Sequence, residues 1–426
     1  MRYWERGAVI SRRGPKAVCP ADGKAGVFFH HSDGWQIRKG SGFAAGYRRV
    51  SMAERKKVSK RIWNHMDYFL IALVCIASIM GIFAIYSATY SMTNTMRYVV
   101  VQAGAFGLGL IAMLLISMVD YELLGDASKY IYIGNVLLLI MVLIIGIGTS
   151  IGTKGWIDLG IISFQPSEIV KIGFILTFAK HLERVKQDIN YVPTLLSLLV
   201  HAGVLIVLIL LQPDAGTAMV FMFITLSMIF VAGISYKYVA ATAAAAAVGL
   251  PIAWYFRDRF LSPYQIDRIL VFFDPYRDPL HTGYNVIQSE IAVGSGQLFG
   301  KGYLQGSQNQ FEYLPAKHTD FIFATIGEEW GFVGAVVVVA LLIAIICRCI
   351  YVAQNARSDF GTFICVGVAA MIAFHTFENI GMCLQLMPVT GIPLPFFSYG
   401  GSSIVTNLVA IGFVNSVRIR RKGISF

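Results

Sequence analysis

Ten apolar stretches, each long enough to cross the hydrocarbon core of a membrane, follow one another along this chain. They cover residues 67–88, 98–119, 129–148, 166–182, 193–211, 217–233, 238–256, 319–347, 359–382 and 398–417. Inside lipid every backbone polar group must find its partner within the chain, so stretches of this length are predicted to be helices. A membrane β-barrel would show shorter segments of alternating polarity. The sequence therefore predicts an all-α, polytopic bundle with about ten transmembrane helices.

The composition excludes an ordinary soluble domain. Hydrophobic residues make up 56% of the 426 residues and charged residues only 14%, whereas about a quarter of a soluble domain is charged. The six cysteines indicate neither a disulfide framework nor a zinc site, because none lies in the long polar segment 257–318 and none has metal-ligand spacing.

Most of the excess positive charge lies at the N-terminus. Residues 1–65 contain 15 Lys and Arg against 4 Asp and Glu, and the rest of the chain contains 20 of each sign. This segment lacks apolar periodicity and any resemblance to a nucleic-acid recognition fold, so it is predicted to be a disordered extension. Cations that flank membrane spans are retained inside, which predicts that both termini are cytoplasmic. Residues 66–418 form the predicted membrane domain, and 419–426 form a basic tail.

Two segments on the predicted external side, 149–165 and 257–318, are where a function is expected. Segment 257–318 mixes proline, glycine, aromatic and charged residues and is too long for a simple connection. It is therefore predicted to fold onto the mouth of the bundle. Its clustered glycines between 294 and 302 do not match a nucleotide-binding fingerprint.

Asp320 stands where this long external segment meets the eighth apolar stretch. A carboxylate at that depth is partly desolvated, which raises its proton affinity and suits it to act as a general base. The alternative is that Asp320 caps the helix, with His318 and Thr319 as turn residues, and position alone favours the cap. Glu328 and Glu329 lie about two turns deeper, where at least one should face a polar cavity or a basic partner.

Polar residues also accompany the fourth apolar stretch. Glu168 and Lys171 are spaced i, i+3 and share one helix face. They either pair with each other or form a polar wall that contacts a charged substrate, and their intramembrane position favours the wall. Trp156 is more typical of an interfacial anchor than of a substrate platform. Lys154, in the same loop, is suited to attract phosphate.

The long external segment contributes further substrate-binding candidates. Arg268 is suited to neutralise a pyrophosphate, and the alternative is that it pairs with nearby aspartates while the segment folds. Tyr284, Gln288 and Ser289 offer neutral hydrogen-bonding groups for sugar hydroxyls. This last pattern has low specificity, because polar surface residues are common.

Other polar features are predicted to be structural. Asp214 in QPDAGTA is suited to cap the next helix. His375, Glu378 and Asn379 share a face of the ninth stretch without further metal ligands, so core hydrogen bonding is favoured over a metal site. The prolines and glycines of the run MPVTGIPLPFFSYGGSS predict a broken, non-helical backbone. At membrane depth such a backbone is tolerated only where it packs against protein or lines a water-filled cavity.

Together these motifs resemble one family, the shape, elongation, division and sporulation (SEDS) proteins. The resemblance spans about residues 66–418 and rests on KGWIDLGIISFQPSEIVK, QPDAGTA, DPYRDPLHTGYNVIQSEIAVGSGQLFGKG, LPAKHTDFIFATIGEEWGFVG and PVTGIPLPFFSYGGSS. YNVIQS and GKGYLQGSQNQ are more similar to the RodA branch than to the FtsW branch. The sequence departs from a common form of the pattern at Gly155 and at Ala316 and Lys317, where Arg and Glu-Arg are frequent.

The resemblance implies a peptidoglycan glycosyltransferase that joins lipid II to a growing glycan strand and releases undecaprenyl pyrophosphate. It places the family's essential aspartate on Asp320, which reverses the preference for a cap. It also places a functional tryptophan on Trp156 and polar helix residues on Glu168 and Lys171. His318 joins these as a substrate-binding candidate.

The mechanism expected from this resemblance is inverting. Asp320 would accept the proton of the acceptor hydroxyl as that oxygen attacks the anomeric carbon of the donor. Arg268, Lys171 and Lys154 are candidates to offset charge on the departing pyrophosphate. No cofactor is required by the sequence; a divalent cation would suit the same task, but no compact ligand set is present.

The resemblance further implies a class B penicillin-binding protein as partner, because glycan strands also need cross-linking. Three alternatives remain open at this point. One is a transporter that moves lipid II across the bilayer, one is an FtsW-like polymerase of division or sporulation, and one is a scaffold that recruits a partner.

Overall fold

The computed structural model describes residues 63–146, 155–158, 163–260, 263–280 and 282–421. The N-terminal extension, apart from its last three positions, therefore lies outside the described residues, as do Lys154 and residues 422–426 of the tail. The predictions made for those segments stay predictions.

Helices dominate the described chain. They are α1 Tyr68–Thr89, α2 Thr95–Met118, α3 Tyr121–Asp126, α4 Ser128–Ile145, α5 Pro166–Val185, α6 Val192–Leu210, α7 Ala215–Val231, α8 Tyr236–Tyr255, α9 Arg257–Phe260, α10 Pro263–Phe273, α11 Thr282–Ser295, α12 Ser307–Gln310, α13 Ile322–Gln354, α14 Asp359–Cys383 and α15 Gly401–Ile419. Short 3₁₀ turns occupy Lys186–Asp188 and Pro275–Arg277. Two-residue strands, β1 Ile157–Asp158 and β2 Ser163–Phe164, pair antiparallel.

Each of the ten predicted spans coincides with one of the longer helices, so the predicted all-α membrane bundle is confirmed. Eight described helices are long and apolar enough to cross a membrane. The other two are α7, an apolar helix of 17 residues, and α5, which carries Glu168 and Lys171 in its first two turns. Many large apolar side chains on α1, α2, α4 and α6 are exposed, as expected for surfaces that contact lipid.

Helix α13 extends beyond its predicted span of 319–347. That prediction ends directly before Arg348. The helix nevertheless continues to Gln354. Arg348 Nε donates to Asp67 Oδ2 at 2.8 Å, so this charge is paired at the end of the bundle and does not stop the helix.

Helix α13 is also broken at Gly331, which the sequence did not predict. Gly331 adopts φ 66° and ψ −165°. Segment 296–302 enters the break, where Phe332 N–H donates to Gln297 O at 2.8 Å. A Cβ on Gly300 would lie 2.0 Å from a carbonyl oxygen of α13. The clustered glycines therefore allow two backbones to approach each other closely.

The first and last described membrane helices meet at one end of the bundle. Asp67, which precedes α1, donates its backbone N–H to Asn415 Oδ1 on α15 at 2.9 Å. We call this end the Asp67 end and the opposite one the Asp320 end. Ten crossings place the start of α1 and the end of α15 at the Asp67 end.

Helices α14 and α15 form the centre of the bundle. In these helices 78% and 72% of the residues in the most apolar stretch are buried, against at most 39% in the other six candidate spans. The long segment between α8 and α13 packs on the Asp320 end as predicted, with α11 against α13 and α14. The polar residues of α14 consequently face protein and not lipid.

Candidate active site

The turn formed by residues 316–321, which we call the Asp320 turn, leads into α13. Ala316 has a positive φ of 50°, and its carbonyl accepts from the N–H groups of Thr319 and Phe321 at 3.1 and 3.2 Å. Phe321 is the N-cap residue, and no side chain caps α13. The helix-cap alternative for Asp320 is therefore excluded, and its carboxylate is not used by the helix.

Asp320 is half-buried as a residue, and protein closely surrounds its carboxyl group. Burial raises its pKa to about 6, while the positive charge of Arg268 on α10 and a hydrogen bond with Thr319 act in the opposite direction. With this pKa the group is largely ionised at neutral pH and still takes up a proton readily. This balance suits a general base. The structure also brings two predicted site residues, Asp320 and Arg268, close enough for the charge of one to act on the other.

The proline-rich segment 387–400 passes directly beside this carboxylate. The segment forms neither helix nor strand over its described length, which confirms the predicted broken backbone. Gly391 has φ 79°, and a Cβ built on it would lie 3.4 Å from Asp320 Oδ2. The missing side chain thus leaves room beside Oδ2 for an incoming group.

Gly391→Ala is expected to lower kcat/KM of the reaction about tenfold, because the new methyl group occupies the space beside Asp320 Oδ2. The positive φ should also cost about 1 kcal/mol of stability. The matched control is Gly233→Ala, since Gly233 has φ 96° and nothing within 4 Å of the added Cβ. If both variants lose activity equally, backbone strain and not access to Asp320 explains the loss.

A buried polar cluster joins α5 to α14. Lys171 Nζ lies 2.8 Å from Glu168 Oε1 and 2.9 Å from His375 Nε2. The side chains of Lys171 and Glu168 are only 3% and 5% exposed. The two residues therefore pair with each other, as one alternative predicted, and a contact with a charged substrate stays a prediction.

Two further polar side chains of α14 lie one turn nearer the Asp320 end. Glu378 Oε1 accepts from Thr390 Oγ1 at 2.9 Å, and Asn379 Nδ2 donates to the Asp320 carbonyl at 2.7 Å. The predicted core hydrogen bonding is confirmed. Within the described ranges no group of three His, Cys, Asp or Glu side chains could hold a metal ion.

Trp156 is half-buried and directly precedes β1, before α5 begins. Gln165 Nε2, at the other end of this loop, donates to Asp214 Oδ2 at 3.3 Å. Asp214 Oδ1 in turn accepts from Thr217 N–H at 2.9 Å, so the predicted cap of α7 is confirmed. The loop is thereby attached to the hairpin between α6 and α7, and the substrate role of Trp156 stays a prediction.

Helix α11 carries three predicted sugar-binding residues. Ser289 is buried, and its hydroxyl donates to Cys383 O at 3.0 Å, which fixes α11 to the end of α14. Tyr284 and Gln288 are half-buried. Ser289 thus has a structural partner within the protein, and sugar binding by these three residues stays a prediction.

His318 packs against two tyrosine rings, which also contact each other. The ring centroids of Tyr98 and Tyr399 lie 5.0 and 5.6 Å from that of His318. Burial and the neighbouring charge of Lys317 lower the pKa of the imidazole, so the ring is neutral at physiological pH. Lys317 is buried and donates to Ser91 Oγ at 2.8 Å, which connects the Asp320 turn to the loop after α1.

Glu328 and Glu329 hold the loop that follows the clustered glycines. Glu328 is fully buried and accepts from Lys301 Nζ at 2.8 Å and from two backbone N–H groups of α12 at 2.9 and 3.1 Å. Glu329 accepts from the Ser87 hydroxyl at 2.6 Å. The predicted basic partner is confirmed, and the pair fixes this loop to α1 and α13.

Glu328→Gln should lower the free energy of unfolding by about 2 kcal/mol, because an amide group would replace a carboxylate that accepts from Lys301 Nζ, the Ser307 hydroxyl and two backbone N–H groups. Limited proteolysis between residues 296 and 310 should become faster, as should thermal unfolding. Glu183→Gln is the control, since Glu183 pairs with Lys180 near the Asp67 end and is more exposed. A control variant that is equally destabilised would contradict a specific role for Glu328.

Comparison with known proteins assigns the chain to a family. A sequence profile described as "Cell cycle protein" and named for FtsW, RodA and SpoVE matches residues 67–423. The chain belongs to the FtsW/RodA/SpoVE family. The SEDS resemblance of its motifs is therefore confirmed.

Members of the FtsW/RodA/SpoVE family match this chain over most of its length. A protein of Escherichia coli (strain K12) named peptidoglycan glycosyltransferase MrdB is 35% identical over 375 residues, which cover 86% of this chain and 97% of that protein. Stage V sporulation protein E of Bacillus subtilis (strain 168) is 37% identical over 365 residues, covering 82% and 96%.

Solved structures of the family share the fold. A structure described as "Structural coordination of polymerization and crosslinking by a peptidoglycan synthase complex" aligns with TM-score 0.72 and 32% identity over 84% of this chain and 99% of the other. The crystal structure of the rod shape determining protein RodA of Thermus thermophilus aligns with TM-score 0.61 and 29% identity over 84% and 98%.

Proposed function

We propose that this chain is a peptidoglycan glycosyltransferase that polymerises lipid II at the outer face of the cytoplasmic membrane during cell elongation. The observation that carries the proposal is the Asp320 carboxyl group, with a pKa of about 6, beside the open position at Gly391. Relatives named peptidoglycan glycosyltransferase, from Escherichia coli and from Treponema pallidum, support the reaction class. A membrane bundle suits a substrate whose lipid tail stays in the bilayer.

The proposed reaction is a single displacement. The acceptor hydroxyl oxygen forms a bond to the anomeric carbon of the donor while its proton passes to the Asp320 carboxylate. The bond from that carbon to the pyrophosphate oxygen breaks, the electron pair leaves with undecaprenyl pyrophosphate, and the configuration inverts. Arg268, whose charge already acts on Asp320, is suited to stabilise the negative charge of the leaving group.

The proposal places the Asp320 end outside and both termini in the cytoplasm. The helix ends and connections at the Asp67 end support this orientation, because they carry Lys180, Arg184, Lys186, Lys237 and Arg357. Cations near the ends of membrane spans are retained on the cytoplasmic side. The 15 Lys and Arg of residues 1–65 favour the same side.

A cross-linking partner is part of the proposal. The solved structure with TM-score 0.72 is described as a peptidoglycan synthase complex that coordinates polymerization and crosslinking. A class B penicillin-binding protein, as transpeptidase, is the partner class that would cross-link the strands made by this chain.

A role in division or sporulation is the second candidate, because the relative from Bacillus subtilis is a sporulation protein with 37% identity. Depletion of the chain in growing cells separates the candidates. Rounded cells would support elongation, whereas filaments or blocked spore formation would support the second candidate.

The experiment that tests the activity uses labelled lipid II and the purified chain in proteoliposomes, with and without the partner. The proposal expects glycan polymer and released undecaprenyl pyrophosphate. Redistribution of lipid II between leaflets without any polymer would support the transporter alternative and overturn the proposal.

A further inference from the structure

Three consecutive carbonyl groups of the Asp320 turn each accept a hydrogen bond from outside the turn. The pairs are Tyr399 N–H with His318 O at 2.9 Å, Ser398 Oγ with Thr319 O at 2.6 Å, and Asn379 Nδ2 with Asp320 O at 2.7 Å. The donors come from α14 and from segment 387–400. The backbone before and after the Asp320 side chain is thus held in place by residues that lie outside the Asp320 turn.

Asn379 connects the two backbones that border the reactive carboxylate. Its Nδ2 also donates to Ile392 O at 2.8 Å, and Ile392 follows Gly391 in the chain. Asn379 is fully buried, so water does not compete for these two bonds. One amide group therefore sets the separation between the Asp320 turn and the backbone beside Oδ2.

The Ser398 donor is itself held in place. Its oxygen accepts from Leu394 N–H at 2.8 Å, which orients the hydroxyl toward the Asp320 turn. Gln102 on α2 donates to Ser398 O at 3.2 Å and accepts from Gly400 N–H at 3.1 Å. Segment 387–400 is thereby also fixed to α2.

We propose that Asn379 is a positioning residue for the reaction at Asp320, with Ser398 as a second support; this inference rests on the proposed glycosyltransferase function. Neither residue takes part in bond making. Their hydrogen bonds hold the carboxylate at the distance from Gly391 that an acceptor hydroxyl requires. A catalytic group displaced by about 1 Å costs about a hundredfold in rate.

The test measures kcat and KM for lipid II polymerisation in Asn379→Leu, which keeps the branched shape of the side chain and removes both donated bonds. The inference expects kcat to fall at least about thirtyfold while KM changes less than about threefold. Ser398→Ala should lower kcat about tenfold, and Ser398→Thr, which restores the hydroxyl, should recover most of it. If Asn379→Leu does not fold, the two variants Ser398→Ala and Ser398→Thr test the inference.

Asn415→Leu is the matched control, because Asn415 is equally buried and accepts a hydrogen bond from Asp67 N–H at the opposite end. It should lower the melting temperature without changing kcat of the folded protein. Equal kcat losses in Asn415→Leu and Asn379→Leu, or a Ser398→Ala variant with unchanged kcat, would overturn the inference. A wild-type chain that makes no polymer would instead reject the proposed function.

Discussion

Asp320→Asn is expected to lower the rate of lipid II polymerisation about a thousandfold, the usual contribution of a general base. The amide has nearly the same size as the carboxyl group but accepts no proton at neutral pH. The backbone bonds of the Asp320 turn do not involve the carboxylate and should persist. Because burial disfavours the charged carboxyl group, the melting temperature should be unchanged or higher.

Initial rates and thermal unfolding of the purified variant check this result. The control is Asp359→Asn, since Asp359 pairs with Lys186 at the Asp67 end and both side chains are exposed. The control should polymerise lipid II within about twofold of the wild type. Polymerisation by Asp320→Asn within about tenfold of the wild type would reject the base assignment.

Lys171→Met should have the largest effect on stability, lowering the free energy of unfolding by about 3 kcal/mol or more. The substitution leaves Glu168 buried without its cation and removes the contact with His375 Nε2. An unpaired ionised group inside the bundle is much more costly than the loss of the pair. Thermal unfolding in detergent measures this change.

The double variant Glu168→Gln with Lys171→Met separates the structural role of the pair from a role in catalysis. Removing both charges should restore most of the lost stability. If Lys171 offsets charge on the leaving pyrophosphate, the double variant stays at least about a hundredfold slower than the wild type. Recovery of polymerisation together with stability would show that the pair serves the fold alone.

The membrane helices could be predicted because a long apolar stretch has only one stable form in lipid. The cap at Asp214 followed from local spacing as well, whereas the spacing of Glu168 and Lys171 gave their pairing only as one of two alternatives. The broken backbone before α15 followed from its prolines and glycines. In each of these cases the residues that determine the feature lie close together in the sequence.

The remaining features depend on contacts between distant segments. The break at Gly331 requires the entry of segment 296–302, and the extension past Arg348 requires Asp67. Position alone favoured Asp320 as a cap, whereas the structure leaves α13 without a side-chain cap. The connection made by Asn379 had no local signal beyond a polar residue in an apolar helix.

The proposed reaction depends on the Asp320 carboxyl group. Burial raises the pKa of this group to about 6, and the charge of Arg268 limits the increase. The base is active when deprotonated, so kcat/KM should rise with pH through about 6 and then level off. Arg268→Gln removes a charge that favours the carboxylate and should move the midpoint to higher pH.

The pH dependence of kcat/KM for lipid II, which reports the pKa of the free enzyme, tests the central claim most directly when it is measured for the wild type and Arg268→Gln. A midpoint near pH 6 is expected in the wild type and a higher midpoint in the variant. A kcat/KM that is constant between about pH 5 and pH 8, or the same midpoint in both proteins, would contradict the assignment of Asp320 as the base.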